Sequence, residues 1–439
     1  MKSFDQLVRH DGNHDLFLAV KMSVAALAGG HPFHLHSEGL RGTGKTTVLR
    51  SAVSILPPII RIKGCLYNCD PARPHCPEHS GLSAEQIKAV GSEWIPCPFL
   101  EISHGAKIST VVGSIDLGRL TDPARPVAAL LPGTIPQAHR GVIFVDEINR
   151  LADTSPELAD VLLDVMGTKP GRIQIEEAGM PVVHMPAQVT VWAASNPDEE
   201  PGALAQIRKQ LSDRFDMTIG MGRPSDVQAV LNILRGDAGV GAGASEQWRQ
   251  APFGDILVDD AVRQLLASVY VNYGLESLRA IEAMETAARL NAMLSGRSQA
   301  SVQDILHIVP LVLSHRADPA TVSAILKFVA AYGSPDAPAI RSVAAGSAAS
   351  APLRSPEQRV EGAKKRLNDW WERVKAKLAR GDNRERPSSA ANERQHSARG
   401  KIADPTEIDI VAPPKPAAPL AQLSPDNYVT SDEKGADKR

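Results

Sequence analysis

Three short stretches of this 439-residue chain carry residue types whose spacing suits phosphate chemistry. The first, GLRGTGKT at residues 39–46, has the form G-x-x-x-x-G-K-[ST]. Gly39, Gly42 and Gly44 would let the backbone wrap closely around phosphate oxygens, while loop amides and the next helix N-terminus present partial positive charge. Lys45 would reach the β- and γ-phosphates and Thr46 would ligate Mg²⁺; Thr43 and Thr47 complete the candidate nucleotide-binding set. The second stretch, GVIFVDEINR at 141–150, runs four apolar residues into Asp146-Glu147. A buried strand ending in two acids is costly unless the acids work at its tip. Asp146 would hold Mg²⁺ through water, and Glu147 would polarise an attacking water as general base. The third, VTVWAASNP at 189–197, ends a strand-like run on Asn196, which could position that water from the neighbouring strand.

Two arginines could complete such a site. Arg214 lies in RKQLSDRFD and Arg279 in GLESLRA. Hydrolysis of ATP needs cations where charge builds up in the transition state. An arginine supplied by a neighbouring subunit would meet that need and make turnover depend on assembly. The plainer reading of each is a surface salt bridge.

A separate cluster lies in GCLYNCDPARPHCPEH, residues 64–79, which holds three of the four cysteines. Cys65-x₃-Cys69 and Cys76-x₂-His79 are pair spacings that zinc accepts, with a six-residue gap between the pairs. Three readings stay open: a structural zinc site, a redox-sensitive thiol pair, or small buried cysteines without chemistry. The histidines of HPFHLH, 31–36, read as strand residues rather than ligands.

The elements that must position these residues follow from periodicity. HDLFLAVKMSVAALAGG reads as a helix stopped by a glycine pair, PFHLHSEG as a short strand, and TTVLRSAVSIL as a helix ended by Pro57-Pro58. Strand-length apolar runs alternating with helices predict a parallel α/β sheet over residues 1–220. From 221 to 333 the pattern is nearly all helical, in SDVQAVLNILRG, DDAVRQLLASVYVNYG, ESLRAIEAMETAARLNAMLSG and SVQDILHIVPLVLSHR. Beyond it the composition gives a flexible linker at 334–356, a basic amphipathic helix at 357–381 containing Trp370-Trp371, and a disordered tail at 382–439.

Composition restricts the class. Apolar residues make up 43% and support a sizeable core, and aromatics are only 4%. The net charge of −2, from 48 basic and 50 acidic residues, argues against a nucleic-acid coat or a membrane surface. The basic Trp370-Trp371 helix is the one feature that would support a nucleic-acid-acting protein. No apolar run approaches the roughly 20 residues of a membrane span, and the polar N-terminus is unlike a signal peptide, so the expected location is the cytoplasm.

Taken together, phosphate loop, Asp-Glu strand end, polar sensor, arginine and helical lid resemble the AAA+ ATPases. Within them the chain looks like the ATPase (I) subunit of magnesium chelatase, over roughly residues 15 to 315. RGTGKTT, YNCDP, VVGSIDL, AHRGVIFVDEIN and LSDRF have counterparts there in the same order. The resemblance implies an ATP- and Mg²⁺-dependent motor in a homo-oligomeric ring, a hexamer, driving Mg²⁺ insertion into protoporphyrin IX. The implied partners are a von Willebrand A-domain subunit and a large porphyrin-binding subunit. Cobalt and a corrin are an alternative substrate pair for such a complex. The resemblance assigns catalytic roles to Glu147, Asn196, Arg214 and Arg279, in addition to Lys45, Thr46 and Asp146. It also implies that VVGSIDL opens an insert in the second helix, and that GRIQIEEAGMPVVHMPAQ forms a hairpin before the sensor strand. The alternative, suggested by DEINR, is a MoxR-like AAA+ chaperone with an A-domain partner.

Overall fold

A computed structural model describes residues 2–116, 130–176, 182–236 and 253–332. The expected linker, basic helix and tail, 334–439, lie outside the described residues.

A five-stranded parallel sheet forms the centre. Its strands in chain order are β1 (Leu35–Gly39), β2 (Phe99–Ile102), β3 (Val142–Val145), β4 (Thr190–Ser195) and β5 (Met217–Met221). They lie side by side in the order β5-β1-β4-β3-β2. Side chains alternate faces along a strand, so a sheet covered on both sides needs apolar residues at every position. VIFV and TVWAAS meet that need. Phe144, Trp192 and Ala194 pack into one apolar cluster, and Ile143, Val145, Val191 and Ala193 into the other.

Helix α1 (His14–Ala28) covers the first face, ending at Gly29 as its sequence implied. Helix α2 (Lys45–Ser51) follows the phosphate loop and passes into a 3₁₀ turn at Ala52–Ile55 before the proline pair. The two expected excursions are present. Ile108–Val112 is a short helix leading into an antiparallel pair, Gly113–Ile115 with Leu130–Pro132. Gly171–Ile175 pairs antiparallel with Val183–Ala187 ahead of β4.

His34 and His36 are fully buried around β1. The His34 ring accepts the amide of Val191 at 3.0 Å, and His36 Nε2 lies 2.8 Å from Ser195 Oγ. Burial pushes the pKa of each down to about 3, so both serve as neutral linkers between strands.

The helical part contains Val227–Arg235, Asp260–Tyr273, Leu278–Leu294, Val302–Leu313 and Pro319–Tyr332. Asp226, Asp259 and Ser277 cap three of these helices by accepting amides of their first turns. A two-residue parallel pairing, Leu257–Val258 with Gln299–Ala300, also occurs there. The core of this part, including Met284, Ala288, Ile305 and Val312, is continuous with the α1 face of the sheet. Arg316 fastens the two. Its guanidinium meets the Asp213 carboxylate at 3.0 Å and donates to the carbonyls of Asp213 and Phe215 at 2.8 and 2.6 Å.

Candidate functional site

Parallel register explains why residues distant in sequence meet. Glu38 lies opposite Ser195, and Ala193 opposite Val145. The carboxyl ends of β1, β4 and β3 therefore stand side by side, carrying Gly39, Asn196 and Asp146. Ligands of open parallel sheets bind at such ends.

The phosphate loop has a conformation only its glycines allow. Gly44 adopts φ +96°, a left-handed geometry that starts α2. A Cβ on Gly39 would lie 2.4 Å from the carbonyl oxygen of Met221 on β5. Thr43 Oγ1 closes the loop on the Leu40 carbonyl at 2.9 Å. Lys45 is buried and donates to the carbonyls of Gly39 and Leu40 at 2.6 and 2.8 Å. Burial lowers its pKa, against the pull of Asp146 and Glu199. The ammonium thus sits among loop groups that a phosphate oxygen could take over from.

Thr46 Oγ1 donates to the Asp146 carboxylate, 3.2 and 3.3 Å from its two oxygens. A hydroxyl and a carboxylate meeting beside a phosphate loop are the hard oxygen donors Mg²⁺ takes, so the residues present fit that ion. Arg50, one turn further along α2, grips Glu101 through two 2.8 Å bonds and lies 3.7 Å from Asp146.

Glu147 is a non-glycine residue at φ +53°, ψ +47°. Left-handed backbone of this kind collects at functional sites, where the surrounding fold sustains it. Its carboxylate is 3.3 Å from Arg150, which also reaches Glu199 at 3.7 Å. Asn196 is tied to the helix that follows Glu147. Asn149 Nδ2 donates to the Asn196 carbonyl at 3.3 Å, and Asn196 Oδ1 caps the turn at Asp198.

Arg214 and Arg279 are gathered at a different place. Both donate to the Gly167 carbonyl just beyond the helix Pro156–Val165, at 3.4 and 2.6 Å, and Arg279 also reaches Met166. Burial lowers the Arg214 pKa, and the neighbouring Arg279 lowers it further. Among the described residues no hydrogen bond or ion pair joins either arginine to Lys45, Thr46, Asp146 or Glu147.

The sequence reading missed several participants. A cavity of about 560 Å³ opens beside the phosphate loop, between Leu7, Val8 and Asn13 on one side and Met221, Val230 and Ile233 on the other, with Gly42, Gly44 and Thr47 in its wall. That size and its mixed lining suit the nucleoside half of a nucleotide. Its walls are tied together by Gly222, which donates to the Gly12 carbonyl at 2.7 Å, and by Ser225, whose amide meets Asp11 at 3.2 Å. The only local hint was the Asp11-Gly12-Asn13 turn ahead of α1. Arg50, Glu101, Asn149, Arg150 and Glu199 carried no spacing pattern at all; packing alone brings them in.

Comparison with known proteins adds the family context. The family description "Magnesium chelatase, subunit ChlI" matches residues 18–211, and "AAA lid domain" matches 263–326. The magnesium-chelatase 38 kDa subunit of Acidiphilium rubrum is 30% identical over 298 residues, covering 63% of this chain and 81% of that protein. The chloroplastic magnesium-chelatase subunit ChlI of Oryza sativa subsp. indica is 31% identical over 299 residues, covering 63% and 68%. A solved structure of the complex between subunits BchI and BchD of magnesium chelatase aligns at a TM-score of 0.40 and 24% identity, over 74% of this chain and 98% of that one.

Proposed function

The chain belongs to the magnesium chelatase ChlI family of AAA+ ATPases, and from that premise we propose that it is the motor subunit of a magnesium-chelatase-like complex. In this role it couples ATP hydrolysis to the insertion of Mg²⁺ into protoporphyrin IX, chemistry carried out in a partner subunit. The observation that carries the proposal is the meeting of Thr46 and Asp146, a hundred residues apart, beneath Lys45.

Each residue has a defined task. The loop amides from Gly42 to Thr47 and the Lys45 ammonium bind and orient the phosphates. The cavity between residues 7–13 and the Val227–Arg235 helix takes the nucleoside. Thr46 and Asp146 hold Mg²⁺, which when bound neutralises charge on the phosphate oxygens. Glu147 accepts the proton of the attacking water, and Asn196 orients that water.

Arg214 and Arg279 act together on the nucleotide of a neighbouring subunit. Their shared hold on Gly167, with no bond to the chain's own phosphate loop among the described residues, supports this reading. Turnover then requires a homo-oligomeric ring, a hexamer. Movement of the helical part against the sheet transmits each hydrolysis event to a von Willebrand A-domain subunit and a large porphyrin-binding subunit.

The test is affinity purification of full-length Glu147→Gln from its own cells in the presence of ATP. Recovery of an A-domain subunit with a large chelatase subunit supports the proposal. An A-domain protein without any tetrapyrrole-binding partner would instead identify a MoxR-like chaperone and sink the chelatase role.

A further inference from the structure

Cys65, Cys69, Cys76 and His79 play no part in the nucleotide chemistry, yet the fold brings all four to one point. They lie in an excursion bounded by the antiparallel strands Ile59–Ile62 and Ser92–Ile95. Tight turns draw the loop together. The amide of Cys65 donates to Ile62 at 3.0 Å, that of Asn68 to Cys65 at 3.3 Å, and those of His79 and Ser80 to Cys76 at 3.1 and 2.9 Å. Asn68 adopts φ +51° to turn the chain between the first two cysteines.

The result is a compact donor set. One ligand atom from each of the four residues lies within 4.8 Å of all the others, and all four residues are buried. Cys65 Sγ is 3.9 Å from Cys76 Sγ, and Cys76 Sγ is 3.0 Å from His79 Nδ1. A tetrahedral zinc ion, with Zn–S about 2.3 Å and Zn–N about 2.0–2.1 Å, requires S···S near 3.8 Å and S···N near 3.5 Å. The sulfur–sulfur edge of 3.9 Å matches the first value, and the sulfur–nitrogen edge of 3.0 Å is about 0.5 Å shorter than the second. Cys69 Sγ also accepts two backbone amides, from His75 and Cys76, both at 3.3 Å. These amides hold the sulfur in place, as outer-shell donors orient a metal ligand.

The other readings account for less. All four cysteines are free, and pairing any two of these three would leave a third thiol and an imidazole buried in the same pocket. An inert apolar packing role does not explain why His79 turns its ring nitrogen onto a sulfur that belongs to an apolar cluster including Ile62, Tyr67 and Ile87. Three sulfurs and one imidazole, closed off from solvent, are the donors of a structural zinc site rather than of a hard-cation site.

We propose that Cys65, Cys69, Cys76 and His79 bind one zinc ion that acts as a structural clip. The clipped loop is wired to the catalytic strand. Arg140, immediately upstream of β3, donates to the carbonyls of Asn68 and Ile60, and the Asn68 amide group donates to the Gln137 carbonyl. Fixing the loop therefore fixes the segment that feeds Asp146 and Glu147. The ion has no part in turnover itself.

The test is elemental analysis of the full-length chain purified without chelator or added metal. One zinc per chain is expected, unchanged in Lys45→Ala and lowered to near zero in Cys69→Ser and Cys76→Ser. Because those variants could unfold, the wild-type chain is also exchanged with Co²⁺. The expected spectrum has the intense visible bands of a tetrahedral ion and a thiolate-to-cobalt charge-transfer band. Stripping zinc with a strong chelator should lower the melting midpoint by several degrees. Background zinc in the wild-type chain, or an octahedral cobalt spectrum without charge transfer, would overturn the proposal. So would full zinc retention in both cysteine variants.

Discussion

At the residue scale the site depends on a few charges placed where ATP hydrolysis creates charge. Lys45 is buried and held by two carbonyls of its own loop, so its ammonium is already where a β- or γ-phosphate would sit. Lys45→Ala should reduce phosphate release at least a hundredfold, in line with the loss of a preorganised cation at a phosphoryl group. Nucleotide binding should weaken alongside, as read with a fluorescent ATP analogue. Glu147→Gln separates the two effects. It keeps the side chain's size and its unusual backbone position, so ATP binding should persist while turnover falls by about 10²–10⁴. Wild-type turnover in that variant would remove Glu147 as the base and leave Asp146 or another acid to be tested.

At the element scale, the helical part is anchored through a small number of polar contacts laid over a continuous apolar core. Arg316 is the main one, nearly buried and bonded to Asp213 and three backbone carbonyls of the segment before β5. Removing Arg316 takes the cation from Asp213, which is 31% exposed and keeps Ser277 as a donor, and takes the donors from three carbonyls. Arg316→Ala should therefore destabilise the chain by about 3 kcal/mol, read from the urea midpoint of unfolding. An ion pair inside the α/β part is sensitive to pH. Burial on its own would raise the pKa of Asp216, but Lys169 at 2.7 Å, the nearby His34 and the His34 amide hold it below the usual carboxylate range. A depressed folded-state pKa contributes stability above the unfolded value, near 3.9, and loses it as pH falls through the folded value. The Asp216 contribution should therefore be constant at neutral pH and drop below about pH 4, on top of a loss that starts below about pH 6.5 because His34 and His36 are buried neutral; the drop below pH 4 should be shallower in Asp216→Asn.

At the scale of the whole molecule, the proposed role of the two arginines requires a neighbouring subunit. Arg214 and Arg279 converge on one carbonyl, that of Gly167, while the groups that would hold ATP converge at the carboxyl ends of β1, β3 and β4. A pure preparation of Arg214→Ala should have less than about a hundredth of wild-type ATPase activity. Mixed with Lys45→Ala it should regain part of that activity, because an intact arginine from one subunit then faces an intact phosphate loop on the next. No recovery on mixing, or full activity of pure Arg214→Ala, would show that the arginine does not act across subunits. Among the described residues no helix is long and apolar enough to cross a membrane.

What the sequence determined by itself were features set locally. The G-x-x-x-x-G-K-T spacing implied a tight loop feeding a helix, and Gly44 does start α2 from a left-handed turn. The runs VIFV and TVWAAS implied strands covered on both faces, and both are buried throughout. Backbone preference and side-chain alternation act over a few residues, so they can be read without knowing the fold. The tertiary structure decided which distant segments meet. Sheet register set Asp146 against Thr46. Packing made a nucleoside-sized cavity from residues 7–13 and 221–233, which share no motif. Folding of the 64–79 excursion brought Cys65, Cys69, Cys76 and His79 to one point, which their spacing alone did not require. Such meetings depend on closing long loops against a common core. That is a property of the whole packing arrangement and not of any one stretch of sequence.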